Sequence, residues 1–289
     1  GGEALIRQFL HGKRFFRQEF GVDCRLMWLP DVFGYSGALP QIMAGCGVKY
    51  FSTQKLFWNY NGGEAFPHNS FWWEGIDGTR VLAHIHNDYN SHTNPARLMQ
   101  RWKERVQKDG LRSRLVPFGY GDGGGGPTRL HLEYLRRCAD LEGLPRVRQA
   151  GPIAFFRDLE SHADALPVHT GELYFQAHRG TLTSQARTKR ENRRGEFALR
   201  EAEFWGAVAR ARADFEWPAT SMDGAWKGLL LNQFHDILPG SSIARVYREA
   251  EALYEKVFGT ARAVRNAAAR TLTSPDPRAL TVFNSLGWE

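Results

Sequence analysis

At 289 residues, with 42% hydrophobic and 24% charged residues, the chain has the composition of a globular protein, not a disordered or fibrous one. No apolar run approaches the ~20 residues that span a bilayer, and residues 1–16, GGEALIRQFLHGKRFF, lack the apolar core and small-residue cleavage site of a signal peptide. The net charge of +7 raises nucleic acid as a partner, but the densest basic stretch, ARTKRENRRGE at 186–196, is interrupted by Glu191 and Glu196. It reads as a solvated helix start or the lining of an anionic site, so no nucleic-acid partner is expected.

The elements follow in chain order. Apolar residues at helical spacing fill EALIRQFLHGKRFFRQEF, with Gly21 as a stop. CRLMWLPD reads as a short buried strand ended by Pro30, SGALPQIMAGCG as a short helix and VKYFSTQK as a second strand. SFWWEGIDGTRVLAHI holds two strand-like runs around Asp77-Gly78, a hairpin signal. SRLVPFGYGD is strand-like and opens into GGGGPT, after which RLHLEYLRRCADLEG is amphipathic. This alternation predicts the α/β class, a mostly parallel sheet flanked by helices, with ligands beyond the carboxyl ends of the strands. Near residue 165 the pattern changes. HADALPVHTGE reads as a connector, and residues 185–212 and 222–269 read as a helical bundle. The last stretch, SPDPRALTVFNSLGWE, starts a further strand. The expected domains are therefore 1–165, 166–272 and 273–289.

Several residues could carry chemistry. Asp31, in WLPDVFGYSG, fits an Asx turn or helix N-cap, and equally a carboxylate offered at a strand end. Asp122, in FGYGDGGGGPT, sits in a loop without the G-K-[ST] ending of a phosphate loop. It reads as a surface loop or as a flexible carrier of a carboxyl group. His235 and Asp236 lie in LNQFHDILPGSS, where a lone histidine makes no metal site and Asp236 could cap a helix starting near Ser241. Trp58, Trp72 and Trp73 would suit stacking on sugars or simply fill a core. Cys24, Cys46 and Cys138 form no C-x-x-C pair and no N-x-[ST] acceptor occurs, which favours a reducing, cytoplasmic setting.

Taken together, WLPDVFGYSGALPQI, GVKYFSTQKLFWN, FWWEGIDGTRVLAH, YGDGGGGPT, TGELYFQAHRGTLTSQARTKRENRR and LLLNQFHDILPGSSI resemble the successive blocks of retaining α-mannosidases of glycoside hydrolase family thirty-eight, bacterial type. The resemblance implies an α/β catalytic domain, a helical bundle and then β-sandwich domains, the last only begun here. It implies an α-mannoside or oligosaccharide substrate and one zinc ion, with Asp31 and His235 as matching ligands. Other divalent cations suit such donors too. It further implies Asp31 as nucleophile, Asp122 as acid/base, and Phe33 and Asp236 lining the sugar subsite. A retaining glycosidase needs two carboxyl groups ~5 Å apart. The family draws two more zinc ligands from a His-x-Asp motif on an earlier strand, and no H-x-D occurs near residue 1. The chain is thus expected to be an internal piece with an incomplete sheet, weak zinc affinity and little activity alone. The rival reading is a non-catalytic carbohydrate-binding or inactive protein of the same fold. Self-association into a homo-oligomer is left open.

Overall fold

The computed structural model describes residues 1–58, 64–108, 110–274 and 276–288. The chain divides into two compact units: Phe9–His178 with Gly2, and Arg179–Glu289 with Gly1 and Glu3–Gln8.

Helix α1 (Gly2–Phe20), of which Gly2 and Phe9–Phe20 belong to the first unit, ends where Gly21 takes φ +66°. Next come β1 (Leu26–Trp28), α2 (Leu39–Gly45), β2 (Tyr50–Thr53), β3 (Ser70–Glu74) and β4 (Arg80–Ile85). After these follow α3 (Pro95–Lys103), α4 (Arg129–Cys138), α5 (Pro152–Glu160) and β5 (Val168–Thr170). The five strands form one mixed sheet in the order β1-β2-β4-β3-β5, parallel except for the β3–β4 hairpin. That hairpin turns at Gly78, φ +81°, and Asp77 accepts from the Thr79 N–H and hydroxyl.

Alternation along the strands fills both faces. Tyr50, Leu82 and Trp72 pack with Phe155, Phe156 and Leu159 of α5. From the opposite face Phe51 meets Trp73 and Tyr35, each at 4.9 Å between ring centroids. Trp73 is fully buried and its indole donates to Gly171 O, while the Trp72 indole donates to Ala163 O, so both belong to the core.

The second unit is helical: α6 (Ala186–Arg212), α7 (Ala219–Leu231) and α8 (Ala244–Leu272). Leu199, Ala202, Met222, Trp226, Leu229, Tyr254 and Val257 form its core, joined by Ala4. Glycines set how closely its elements approach. A Cβ on Gly195 would fall 2.7 Å from a Leu229 methyl, and one on Gly206 2.5 Å from the Trp217 ring.

Four expectations are corrected, and two helices are added. The CRLMWLPD strand is a three-residue edge strand with Trp28 37% exposed, because its other side has no ladder partner among the described residues. SRLVPFGYGD contributes no strand and makes a single bridge, Phe118 to Ser91; Pro117 brings no N–H to a ladder. Asp122 therefore follows a loop, not a strand. HADALPVHTGE, read as a connector, contains β5, whose three residues are too few to show a period. Residues 276–288 form no strand, since nothing among the described residues pairs with them. Helices α3 and α5 escaped the periodicity reading, although Pro95 and Pro152 at their first turns, and Asn94 accepting from the Arg97 N–H, are helix-start signals.

Candidate active site

Asp31 stands three residues beyond the carboxyl end of β1. It neither caps a helix nor closes a turn on itself: α2 has Ala38 at its N-cap position. Instead its Oδ1 accepts from Gln54 Nε2 at 3.0 Å and lies 3.2 Å from Lys55 Nζ. Both partners follow directly on β2. The side chains of Lys55 and Asp31 are only 9% and 19% exposed. Oδ2 has no protein donor among the described residues.

The loop bearing Asp31 is fixed from both ends. The Tyr35 hydroxyl donates to Leu29 O at 2.6 Å and lies 2.6 Å from Thr53 Oγ1, which donates to Pro30 O. Burial raises the Tyr35 pKa far above the phenol range, so this hydroxyl stays a donor throughout the working pH range. Tyr35 N and O also pair with Leu173 O and N at 2.9 Å, tying the loop to the segment after β5.

Aromatic rings surround the cation. Lys55 Nζ lies 3.4 Å from the Trp58 ring centroid and 5.9 Å from that of Phe33. Phe33 meets His178 edge-on at 4.9 Å and Phe175 at 6.2 Å. Burial, then the charge of Lys55, lowers the His178 pKa and keeps its imidazole neutral at pH 7. Facing rings attract a cation through their quadrupoles. The Lys55 side chain is thus held between the Asp31 carboxylate and aromatic faces, with little access to water.

Asp122 belongs to the same unit and is exposed, in the loop 119–127. That loop is a closed structure, not a slack tether. Tyr120 N donates to Gly126 O at 2.8 Å. A Cβ would come within 2.7 Å of Gly126 and Pro127 from Gly119, 2.6 Å of the Tyr89 ring from Gly121 and 2.6 Å of Tyr120 from Gly125. Asp122 itself holds φ +53°, in the left-handed region that non-glycine residues rarely adopt. No hydrogen bond or ion pair joins it to Asp31 among the described residues.

In the helical unit, His235 and Asp236 occupy the turn that ends α7. His235 Nε2 is 3.6 Å from Asp236 Oδ2, the ring packs on Phe234 at 4.2 Å, and the two side chains are 26% and 50% exposed. Asp236 does not cap α8, which starts at Ala244 after Ile243. Its carbonyl accepts from Ser242 Oγ at 2.6 Å.

Among the described residues no three His, Cys, Asp or Glu side chains are grouped to hold a metal ion. Carboxylate and imidazole are suitable zinc donors, but these residues alone do not make up the three or four that zinc takes. Sequence reasoning passed over Gln54, Lys55 and His178. The available signal was the polar run Ser52-Thr53-Gln54-Lys55, which ends the fully buried strand β2 and continues beyond it.

Known proteins agree with this layout. Residues 1–172 match the glycosyl hydrolases family 38 N-terminal domain, and residues 176–272 the alpha mannosidase middle domain. The chain belongs to glycosyl hydrolase family 38. It is 43% identical over 293 aligned residues to human alpha-mannosidase 2C1, covering all of this chain and 28% of the human protein. It is 35% identical to the alpha-mannosidase of Saccharomyces cerevisiae, over 99% of this chain and 28% of that one. The crystal structure of an alpha-mannosidase from Enterococcus faecalis V583 shares the fold at a TM-score of 0.80 and 21% identity, over 94% of this chain and 32% of that one. The chain therefore spans somewhat over a quarter of the length of these relatives.

Proposed function

We propose that the chain is part of a retaining α-mannosidase that cleaves terminal α-mannosidic bonds by double displacement. The observation that supports this most directly is the division of labour at Asp31: Oδ1 is held by Gln54 and Lys55, and Oδ2 has no donor among the described residues. A nucleophilic carboxylate needs one oxygen anchored and one free to attack. Oδ2 would bond to the anomeric carbon as the glycosidic C–O bond breaks, with Asp122 giving its proton to the leaving oxygen. Water would then attack that carbon, Asp122 would take the water's proton, and the sugar–Asp31 ester bond would break, with net retention. Asp122 is exposed, so the shielding of its carboxyl group from water would come from the bound glycan. Phe33 beside Trp58 would offer an apolar surface to the sugar ring, and Asp236 a hydroxyl acceptor.

Zinc is part of the proposal, with Asp31 and His235 each as a ligand. When bound, it would supply Lewis-acid polarisation of the sugar hydroxyls. A reducing, cytoplasmic setting is proposed from the free Cys24, Cys46 and Cys138. No helix among the described residues is long and apolar enough to cross a membrane.

The test is covalent trapping in the longer enzyme that contains this chain. A fluorinated α-mannosyl fluoride that slows the second step should label the peptide bearing Asp31, and Asp31→Asn should abolish both labelling and turnover. Label on another carboxylate would overturn the assignment. A second reading, a sugar-binding protein without turnover, draws on the lack of a three-ligand group among the described residues. Mannoside binding without hydrolysis by the longer protein, with zinc supplied, would favour it.

A further inference from the structure

We propose that Lys189 is a positioning residue that fixes the turn carrying His235 and Asp236; the proposal rests on the reading of those two residues as site residues. Its neighbours on α6 spend their charges conventionally. Arg187 pairs with Glu251, Arg190 and Arg194 with Glu191, and Arg193 with Glu196. Lys189 makes no ion pair among the described residues. Its ammonium instead donates to two carbonyl oxygens, Ser184 O and, at 2.9 Å, Leu238 O. Burial lowers its pKa, which marks a charge withdrawn from water with no carboxylate to offset it.

An uncompensated, half-buried ammonium is costly. What it gains here is geometric, because the two carbonyls belong to separate segments. Ser184 precedes Gln185, which holds φ +54° at the start of α6. Leu238 lies two residues beyond Asp236. At the same place Gly240, φ +93°, approaches so closely that a Cβ would fall 2.7 Å from both Ser184 Cβ and Ser184 O. The upstream end of the turn is tied independently, by Asn232 Nδ2 to Ala250 O and Gln233 Nε2 to Asn192 Oδ1. Lys189 and the Gly240–Ser184 contact hold the downstream end. With both ends pinned, the His235 and Asp236 side chains between them have one backbone course to follow. This role also accounts for the basic stretch 186–196 without an anionic ligand.

The experiment compares wild type, Lys189→Met, Lys189→Arg and Gly240→Ala in the longer protein that contains this chain. The readouts are amide hydrogen exchange, thermal unfolding, and kcat and KM on a nitrophenyl α-mannoside. Lys189→Met is expected to speed exchange at Leu238, Gly240 and Ser242 by at least ~10-fold, the scale of a lost charge-assisted hydrogen bond. Exchange in the interiors of α6 and α8 should not change, and kcat/KM should fall by at least ~10-fold. Arginine should recover part of both losses. Gly240→Ala, which moves the same turn from its other side, should reproduce them. Unchanged exchange in the turn, a uniform loss of protection along α6 and α8, no recovery with arginine, or a loosened turn with unchanged kcat/KM would each overturn the proposal. Should wild type prove inactive on mannosides, the mannosidase reading fails on that result alone, while the exchange comparison still decides whether Lys189 holds the turn.

Discussion

The backbone of Asp122 makes a quantitative test available in the chain itself. At φ +53° an L-residue pays about 1–2 kcal/mol for contact between its Cβ and the backbone, somewhat less for Asp and Asn. Glycine removes that term but adds about 0.5–1 kcal/mol of unfolded-state entropy. Asp122→Gly should thus be neutral to about 0.5 kcal/mol stabilising, and Asp122→Asn near zero. Asp122→Ala should cost about 1 kcal/mol, since alanine keeps the Cβ and has no short polar side chain to offset it. At about 2–4 °C per kcal/mol for a unit of this size, glycine and alanine variants should differ by about 2–6 °C in Tm. Calorimetry with urea titration at pH 7 measures this. In the longer enzyme all three should lose general-acid function, about 100–10,000-fold in kcat with a poor leaving group. Loss of activity together with unchanged or raised stability in Asp122→Gly is the signature of a strained functional carboxylate. An alanine variant as stable as the glycine variant would refute the left-handed geometry on which the reasoning depends.

Other outcomes follow from the packing and the titrating groups. Burial holds His86 neutral, with its pKa lowered to about 3, and drives that of His84 well below 6.5. The unfolded chain takes up these protons near pH 6.5 and the folded chain resists them. The stability they contribute is therefore complete above pH 6.5 and is lost as pH falls toward 3, by up to ~1.4 kcal/mol per pH unit per histidine. His86→Gln should flatten the urea-midpoint profile between pH 7 and pH 5. Gly206→Ala should destabilise the helical unit by about 1–2 kcal/mol, because the Trp217 ring 2.5 Å from the new Cβ cannot yield. Gly195→Ala should be close to neutral, since only a rotatable Leu229 methyl is in the way and helix propensity improves by about 1 kcal/mol. Lys55→Met should lower kcat of the longer enzyme more than it raises KM, and Lys55→Arg should recover part of the loss. A change confined to KM would make Lys55 a sugar contact and not a support for Asp31.

What the sequence disclosed and what it withheld have physical causes. Long helical segments were legible: α6 (Ala186–Arg212) falls within one residue of the 185–212 read from composition and helical spacing, and the hairpin follows from Asp77-Gly78 between two strand-like runs. Strand β5 was not, because three residues carry no period and its pairing with Trp72–Glu74 is nearly a hundred positions away in sequence. At the candidate site, Asp31 could be singled out by its position after an apolar strand closed by proline. Gln54 and Lys55 could not be matched to it, because the pairing arises from β1 and β2 lying side by side with Leu26 opposite Tyr50. The four glycines at 123–126 read as flexibility, yet glycine is also what close backbone contact demands. The structure separates the two: a Cβ on Gly125 would fall 2.6 Å from Tyr120, while Gly123, Gly124 and Gly126 take positive φ.

Both groups of candidate residues are carried on turns, and in each the carbonyls of the turn are taken by two side-chain donors, one from the same loop and one from a neighbouring element. In the sheet unit Tyr35 and Thr53 satisfy the carbonyls of Leu29 and Pro30, just before Asp31. In the helical unit Ser242 and Lys189 satisfy those of Asp236 and Leu238, around the same short span as His235. A turn whose carbonyls are left to water samples several courses. One whose carbonyls are taken by buried donors has a single course, because releasing a donor leaves it unpaired at a cost of about 1–3 kcal/mol. This is how loop residues acquire the fixed geometry that a reacting carboxylate requires. Tyr35→Phe is the sharp case, since it keeps the ring in its contacts with Phe51 and Trp73 and deletes only the hydroxyl. It should cost about 1–3 kcal/mol of stability through the unpaired Leu29 carbonyl, and it should lower the turnover of the longer enzyme through Asp31 with KM nearly unchanged. Equal turnover by the Tyr35→Phe enzyme would mean that Asp31 is held by Gln54 and Lys55 alone, and that the pinned carbonyls before it serve the fold and not the chemistry.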